Sequence, residues 1–261
     1  AGNTVLYVNG VTTTYGDTET TDTSTGQTLS NTASIKIGAL SSSGESNFLG
    51  KVNDVAIFNV AIDSEAALAI YNSGKPFDLN YDRGDYDNSS ALTGYWRMFN
   101  GLFDDKQNGV VHDAHNPGFG SELVNNGDFA TGDLSGWTQS ASKWSYSNGK
   151  VRLQSSDTDA SGLYQNNVFV VGNTYRIKFD AVVTLGQAKL EKNGGGALVH
   201  INTTKTYDFY WVADRHALYF NRLHSVPNSD VTLDNISVAK LNGYPGLTSA
   251  DATFSTDTSD D

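Results

Sequence analysis

The sequence predicts an all-β protein with two jelly-roll or β-sandwich modules in tandem, the first of them incomplete, and one short helix. Three observations predict this class. The chain has 13 Tyr, 12 Phe, 26 Gly and only four Pro, so β-forming residues alternate with turn residues. Hydrophobic residues make up 38% of the 261, which is enough to bury a real core. Short apolar segments recur between turn signals about every 8 to 12 residues in the second half.

The first half contains three predicted strand regions. Residues 4–11 alternate between apolar and polar and reach Asn9-Gly10, a pair that accepts positive φ at both central turn positions and so predicts a hairpin. Residues 12–32 are polar and predict an exposed loop. Residues 33–40 place isoleucines on one face of a strand. Residues 48–60 are apolar on both faces, which favours a central, buried strand.

One helix is predicted, at residues 63–73. Asp63 or Ser64 is able to cap its N-terminus, and its apolar residues recur at helical spacing. Gly74 suits the position after the last turn, and Pro76 prevents continuation.

The second half gives a cleaner pattern of short strands. Residues 175–181 alternate apolar and polar side chains, as in a strand with one face in water. Other predicted strands are 92–99, 123–129, 151–153, 163–171, 187–192, 197–201, 206–212, 217–222 and 231–240, with a short run at Trp144.

These elements predict four segments. Residues 1–100 form the incomplete first module, residues 101–120 a linker, and residues 121–240 the second module. Residues 241–261 are rich in Ser, Thr and Asp and predict a polar acidic tail. Because the chain enters an apolar alternation directly after Ala1, we expect the sequence to start inside a domain.

Charge and composition exclude several classes of protein. The net charge of −12 disfavours binding to nucleic acid or to anionic lipid. No apolar stretch approaches 18 residues, so no membrane insertion is expected. The chain has no Cys, which excludes disulfides and cysteine nucleophiles.

Motifs for catalysis are weak, and we expect no enzyme activity. The paired carboxylates on one strand that a glycosidase needs do not occur as a Glu-x-Asp-x-Glu string. His112 and His115 have a metal-ligand spacing, but no helical pattern surrounds them, so a polar linker is favoured.

Two stretches of the first half resemble a known family. The segment FLGKVNDVAIFNVAIDSEAALAIYNSGKPF at 48–77 resembles the end of a laminin G-like, concanavalin A-like jelly roll, and LYVNG at 6–10 resembles a hairpin strand of that family. Two departures stand out. Asn53 stands where the family usually has Asp, and the family's first strands are absent upstream of Ala1. A partner chain or a further segment is expected to cover the open face of such a partial sandwich.

Residues 121–240 resemble a carbohydrate-binding-module-like jelly roll of the galactose-binding type. The matching pieces are LVNNGDF at 123–129 with Trp137 soon after, GNTYRIKF at 172–179 and TLDNISV at 232–238. Together with the preceding segment LTGYWRMFNG, the pattern is similar to structural proteins of tailed bacteriophages, such as tail fibres. This resemblance implies a structural calcium ion, with Asp128 and Asp234 as its candidate ligands, since hard cations prefer carboxylate oxygens. The alternative is that both are ordinary turn and surface residues.

A sugar site would use aromatic faces, because pyranose rings stack on Trp or Tyr. At the motif positions Trp137 and Trp144 the core is the better interpretation. Because Tyr210 and Trp211 are adjacent on a strand, at most one of them lies in the core. The candidate sugar-binding residues are Tyr146, Tyr164, Tyr210, Trp211 and Tyr219.

These observations lead to a functional hypothesis with open alternatives. The favoured one is a non-enzymatic virion surface or tail-fibre component that binds host-surface carbohydrate, with other virion proteins or copies of itself as further partners. The alternatives are a secreted or cell-surface bacterial adhesin, an accessory module of a polysaccharide-degrading enzyme, or a structural spacer without a ligand.

Overall fold

The computed structural model describes residues 5–13, 36–37, 48, 50–98, 104–105, 107–157, 159, 161–223, 225–226 and 228–247. These residues form one α-helix and short antiparallel strands, so the chain is all-β as predicted. The elements are β1 (Tyr7–Val8), β2 (Val11–Thr12), β3 (Val55–Phe58), α1 (Ser64–Tyr71), β4 (Leu92–Trp96), β5 (Val110–Val111), β6 (Phe119–Glu122), β7 (Thr138–Gln139), β8 (Trp144–Ser147), β9 (Lys150–Ser155), β10 (Gly162–Gln165), β11 (Thr174–Leu185), β12 (Ala188–Glu191), β13 (Ala197–Ile201), β14 (Lys205–Val212), β15 (Leu218–Arg222), β16 (Ser229–Leu241) and β17 (Gly246–Leu247).

The chain divides into two compact units. The first comprises residues 1–117 and 246–261, and the second comprises Gly118–Pro245. Among the described residues, no helix is long and apolar enough to cross a membrane.

The hairpin of the first unit forms where the sequence predicts it. β1 and β2 pair across Asn9-Gly10, whose φ angles of 53° and 75° are those of a two-residue turn with positive φ at both positions. Of the predicted strand 33–40, only residues 36–37 lie within the described part of the chain.

The predicted helix is also confirmed. Asp63 accepts a hydrogen bond from the backbone N–H of Ala66 at 2.8 Å, which caps the first turn. The helix ends at Tyr71 rather than at residue 73, because Asn72 adopts the left-handed conformation at φ 44° and a short 3-10 turn follows.

The central strand predicted at 48–60 is shorter and less buried than expected. β3 pairs with β4, its only partner in the described part of the unit, and all four of its residues are half-buried. One face, with Ala56 and Phe58, packs against a small core of Leu79, Tyr86, Leu92 and Tyr95.

The linker and tail boundaries also differ from those predicted. The structure places β5 and the start of β6 inside residues 101–120, and β17 inside the predicted tail pairs with β5. Val110 and Val111 are almost fully buried. A strand of two residues is too short to show a periodic pattern, so local sequence does not predict it.

The second unit is a β-sandwich. One sheet has five strands in the order β13-β12-β15-β10-β7, and the other has six, β14-β11-β16-β9-β8, with β6 also paired to β16. Residues 175–181 alternate as predicted, and Tyr175, Ile177 and Phe179 point into the core. Phe179 meets Phe220 of the facing sheet edge-to-face at 5.3 Å between ring centroids. The two sheets therefore share one core.

Both predicted core tryptophans of this unit are confirmed. Trp137 and Trp144 are buried, and each indole N–H donates to a backbone carbonyl at 3.0 Å, that of Asn126 and that of Ser161 respectively. A buried indole is stable only with such a partner.

The strand predicted at 123–129 is wrong. The strand β6 ends at Glu122, whose carboxylate Oε1 accepts the backbone N–H groups of Leu123, Val124 and Val238. The N–H of Leu123 also donates to the carbonyl of Val238 at 2.9 Å, and the chain then turns through positive φ at Asn126. Gly127 passes so close to the carbonyl of Ile236 that an added Cβ would lie 1.9 Å from its oxygen.

Candidate functional site

The outer face of the five-stranded sheet combines aromatic and charged side chains, and we call it the tyrosine face. Successive residues of a strand point to opposite sides, so Leu163, Phe220 and Leu190 enter the core while their neighbours point outward. The outward side chains are those of Thr138, Tyr164, Lys189, Glu191, His200, Tyr219 and Asn221, together with the backbone of Gly162.

Two tyrosines stack at the centre of this face. Tyr164 and Tyr219 lie opposite one another on β10 and β15, with ring centroids 4.9 Å apart and planes 8° apart. Both rings are half-buried. A stacked, partly exposed aromatic pair is a rigid apolar surface whose position is fixed by the sheet.

Gly162 determines where the Tyr219 ring lies. A methyl group at Gly162 would lie 2.1 Å from the phenol oxygen and 2.3 Å from the ring carbon that carries it. The ring therefore occupies the space that any other side chain at Gly162 would fill.

A cluster of charges lies beside the tyrosines, and its central group is the carboxylate of Glu191. Lys189 Nζ lies 2.8 Å from Glu191 Oε1, and Asn221 Nδ2 donates to the same oxygen at 2.8 Å. Arg215 Nη1 donates to Oε2 at 3.4 Å. Three of these residues lie on strands and are less than a tenth exposed: Lys189, Glu191 and Asn221. Buried charges of this kind are stable only when they are paired.

Two loops bound the cluster. Lys189 Nζ also donates to the carbonyl of Gly195 at 2.6 Å, and the backbone N–H of Asn193 donates to Asp214 Oδ1 at 2.9 Å. The 3-10 turn at Asn193–Gly195 and the loop carrying Asp214 and Arg215 are thereby held next to one another.

The structure brings together two of the five predicted sugar-binding residues, Tyr164 and Tyr219. Tyr210 lies on the outer face of the other sheet, opposite Arg176. Trp211 packs against the core, edge-on to Phe169 at 5.1 Å. Tyr146 lies on β8, the edge strand of the six-stranded sheet, and is 38% exposed. The separation of Tyr210 and Trp211 to opposite faces follows the strand alternation that the sequence predicts.

Seven residues of the tyrosine face and its adjoining loop were not predicted: Thr138, Gly162, Lys189, Glu191, His200, Arg215 and Asn221. A signal existed for two of them. Lys189 and Glu191 flank the apolar Leu190 in a predicted strand, so both had to point away from the core. The contact between Gly162 and Tyr219 depends on strand register, which the local sequence does not specify.

The predicted calcium ligands have other partners in the structure. Asp128 is exposed and accepts from the backbone N–H of Ala130 at 3.2 Å. Asp234 accepts from the N–H of Asn235, and its other oxygen lies 3.3 Å from Lys150 Nζ. Across the described residues, no three His or acidic side chains are grouped closely enough to hold a metal ion. These two carboxylates do not fit a calcium site as they stand, and calcium binding stays a prediction.

A pocket lies on the outer face of the six-stranded sheet, lined among others by Phe119, Glu122, Arg176 and Lys178. Its carboxylate, Glu122, accepts three backbone N–H groups and the hydroxyl of Ser237. Its guanidinium, on Arg176, is paired with Asp208. Glu122 and Arg176 thus have structural partners, and the tyrosine face is the stronger candidate.

Comparison with known proteins finds similarity only at the level of solved structures. No protein-family model and no curated protein matches the sequence. A carbohydrate-binding module of family 4 is 15% identical, covers 45% of this chain and 99% of its own, and has a TM-score of 0.32. The module TmCBM61, solved with β-1,4-galactotriose, is 15% identical over 46% of this chain and 98% of its own, with a TM-score of 0.32.

A phage protein is also among the similar structures. The enzymatically active domain of tailspike protein 4 from bacteriophage CBA120 is 15% identical over 46% of this chain, with a TM-score of 0.29. The match spans 21% of the tailspike chain. Likeness at this level carries no argument about function, so the function is inferred from the geometry of the tyrosine face.

Proposed function

We propose that the second unit binds carbohydrate on the tyrosine face. The observation that supports this most is the stacked pair of Tyr164 and Tyr219, partly exposed on a sheet and adjacent to the polar groups of Glu191 and Asn221. A pyranose has an apolar face that packs on aromatic rings and hydroxyls that need fixed donors and acceptors. This face offers both, side by side.

The site is proposed to bind sugar without cleaving it. Glycosidases use two carboxyl groups across the scissile bond, roughly 5 to 10 Å apart. The five described strands of this sheet carry one outward carboxylate, Glu191, and it is held by Lys189 and Asn221. Turnover of a bound polysaccharide by the purified chain would contradict this part of the proposal.

The test is a glycan-binding screen with the full chain, followed by affinity measurement on each glycan that binds. Tyr164→Ala and Tyr219→Ala should each weaken binding roughly tenfold or more, because the first removes a ring of the stacked pair and the second removes the ring that supports it. Tyr210→Ala is the matched control on the opposite outer face and should bind like the wild type. Equal losses in all three variants, or none in the first two, would contradict the proposal.

We propose further that the chain is a component of a phage virion that attaches to host-surface glycan. The sequence resemblance to tail-fibre proteins supports this, as does a surface rich in Thr, Ser, Asn and Gly. Many copies on one particle, in contact with other virion proteins or with one another, would make weak single sites sufficient through avidity.

The location of the chain decides between a virion component and the alternatives, which are an adhesin, an accessory module and a structural spacer. An antibody against the chain should label intact phage particles in electron micrographs. Labelling of a bacterial surface or of secreted enzyme instead would favour an adhesin or an accessory module. A chain that binds no glycan in the screen would favour the structural spacer.

A further inference from the structure

Arg215, on the loop beside the tyrosine face, has most of its donors unused. Its guanidinium carbon lies 5.0 Å from the ring centroid of Tyr219, and its side chain is 20% exposed. Nη1 reaches Glu191 Oε2 at a long 3.4 Å. Within the described part of the chain, its Nε and Nη2 groups donate to no acceptor. A guanidinium has five N–H donors in a planar fork, so most of its capacity faces solvent.

The carboxylates beside the tyrosines already have close donors. Glu191 accepts from Lys189 and Asn221, both at 2.8 Å. Asp214, the neighbour of Arg215 in the chain, directs its Oδ1 to the backbone N–H of Asn193. The long contact with Glu191 is therefore the carboxylate contact of the Arg215 guanidinium among the described residues.

The arrangement of the rings indicates where a sugar and its charge would lie. Tyr219 has Tyr164 stacked on it and the Arg215 guanidinium over its ring, so its faces are occupied. The surface left for a pyranose is on the side of Tyr164, next to the edge strand β7. An acidic group on a neighbouring unit of the glycan, extending past the edge of Tyr219 toward its loop, would reach the guanidinium.

We propose that the glycan bound by this face is acidic, and that Arg215 binds the carboxylate of a uronic acid unit. Arginine suits this role because its fork pairs with both carboxylate oxygens at once, and such charge-assisted bonds are about twice as strong as neutral ones. The net negative charge of the chain does not prevent this attraction, because charges farther than about 8 to 10 Å from the site are largely screened at ordinary ionic strength. This inference rests on the proposed carbohydrate-binding function.

The experiment compares acidic polysaccharides with neutral versions of the same backbone. The full chain is titrated with polygalacturonate, alginate and glucuronoxylan, each beside its carboxyl-reduced counterpart, and with dextran sulfate beside dextran. We expect at least one uronate polymer to bind and its reduced counterpart to bind roughly tenfold more weakly or worse.

Arg215→Gln tests the residue itself. Glu191 keeps Lys189 and Asn221 in this variant, so no buried charge is left alone. We expect affinity for the uronate polymer to fall roughly tenfold to a hundredfold, while affinity for the reduced polymer stays the same. Arg152→Gln, which removes an equal charge from the outer face of the other sheet, is the matched control and should bind like the wild type. If Arg215→Gln does not fold, Arg215→Lys keeps the charge without the fork and should show part of the loss.

The outcomes separate the two proposals. Equal binding of acidic and reduced polymers, unchanged in Arg215→Gln but lost in Tyr164→Ala, overturns the acidic ligand and leaves carbohydrate binding intact. If dextran sulfate binds, and Arg215→Gln and Arg152→Gln weaken that binding equally, the chain has a general attraction to polyanions. That result also overturns the acidic-ligand proposal. Binding of no glycan at all overturns the proposed function, and this inference with it.

Discussion

The two outer faces of the sandwich arrange their charged residues differently. On the six-stranded sheet, partners lie on neighbouring strands, as in Arg152 with Asp230 and Arg176 with Asp208, and the arginine side chains are more than a third exposed. On the tyrosine face, the side chains of Lys189 and Glu191 are only about a tenth exposed and lie under loops beside stacked rings. Exposed pairs contribute little to stability, whereas buried charges are costly unless paired.

This difference indicates different roles. Cross-strand pairs keep the six-stranded face soluble and support strand register at low energetic cost. Burying a charge cluster beside half-buried aromatic rings costs free energy. It also fixes the positions of donors and acceptors, which is what a binding site requires. Four experiments test this difference between the faces, and the one with the greatest predicted effect comes first.

The largest effect is expected from removing the charge of Glu191. Glu191→Gln leaves Lys189 buried without a counter-charge, and we expect the free energy of unfolding to fall by about 3 kcal/mol. Asp208→Asn, the matched change on the other face, should cost at most about 1 kcal/mol. Chemical denaturation measures both. Similar losses on the two faces would show that the contrast in burial has no energetic consequence.

Gly162→Ala should affect binding far more than stability. The new methyl group displaces the Tyr219 ring, whose far end is free to move, so we expect glycan affinity to fall about tenfold with little change in melting temperature. Gly120→Ala is the control, because the atom nearest to an added Cβ there lies at 3.7 Å. Gly162 is a positioning residue in this account, and normal binding by Gly162→Ala would show that the ring position is irrelevant.

Acid should act on the six-stranded face. The hydrogen bond from Arg152 lowers the pKa of Asp230, and hydrogen bonds from Thr206 and Asn235 lower that of Asp180. A lowered pKa in the folded state gives stability that is present above the unfolded value of about 4 and is lost as the pH falls below it. Asp230→Asn should therefore flatten the decline in melting temperature below about pH 4. An unchanged slope would mean that this pair does not contribute.

The smallest effect is expected from a chelator. Because Asp128 and Asp234 have other partners, the melting temperature should be the same with calcium and with excess chelator. A fall of several degrees that calcium reverses would restore the predicted metal site.

Local patterns in the sequence were sufficient for the elements that depend on neighbours in the chain. The Asn9-Gly10 hairpin, the Asp63 cap and the alternation along β11 were predicted because each depends on residues a few positions apart. The strand predicted at 123–129 failed because the chain turns through positive φ at Asn126 and Phe129, which no alternation of apolar residues signals. The tyrosine face was predicted in part. Tyr164 and Tyr219 were named as aromatic candidates, but their stacking and the link from Arg215 to Glu191 depend on cross-strand register and on loop placement.

The most direct test of the central claim is a map of the backbone amide chemical shifts of the full chain during titration with a glycan that binds. The account predicts that the largest changes cluster at residues 162–165, 189–191 and 215–221. Changes centred on 150–152, 176–180 and 208, on the opposite outer face, or within residues 50–98, would contradict it.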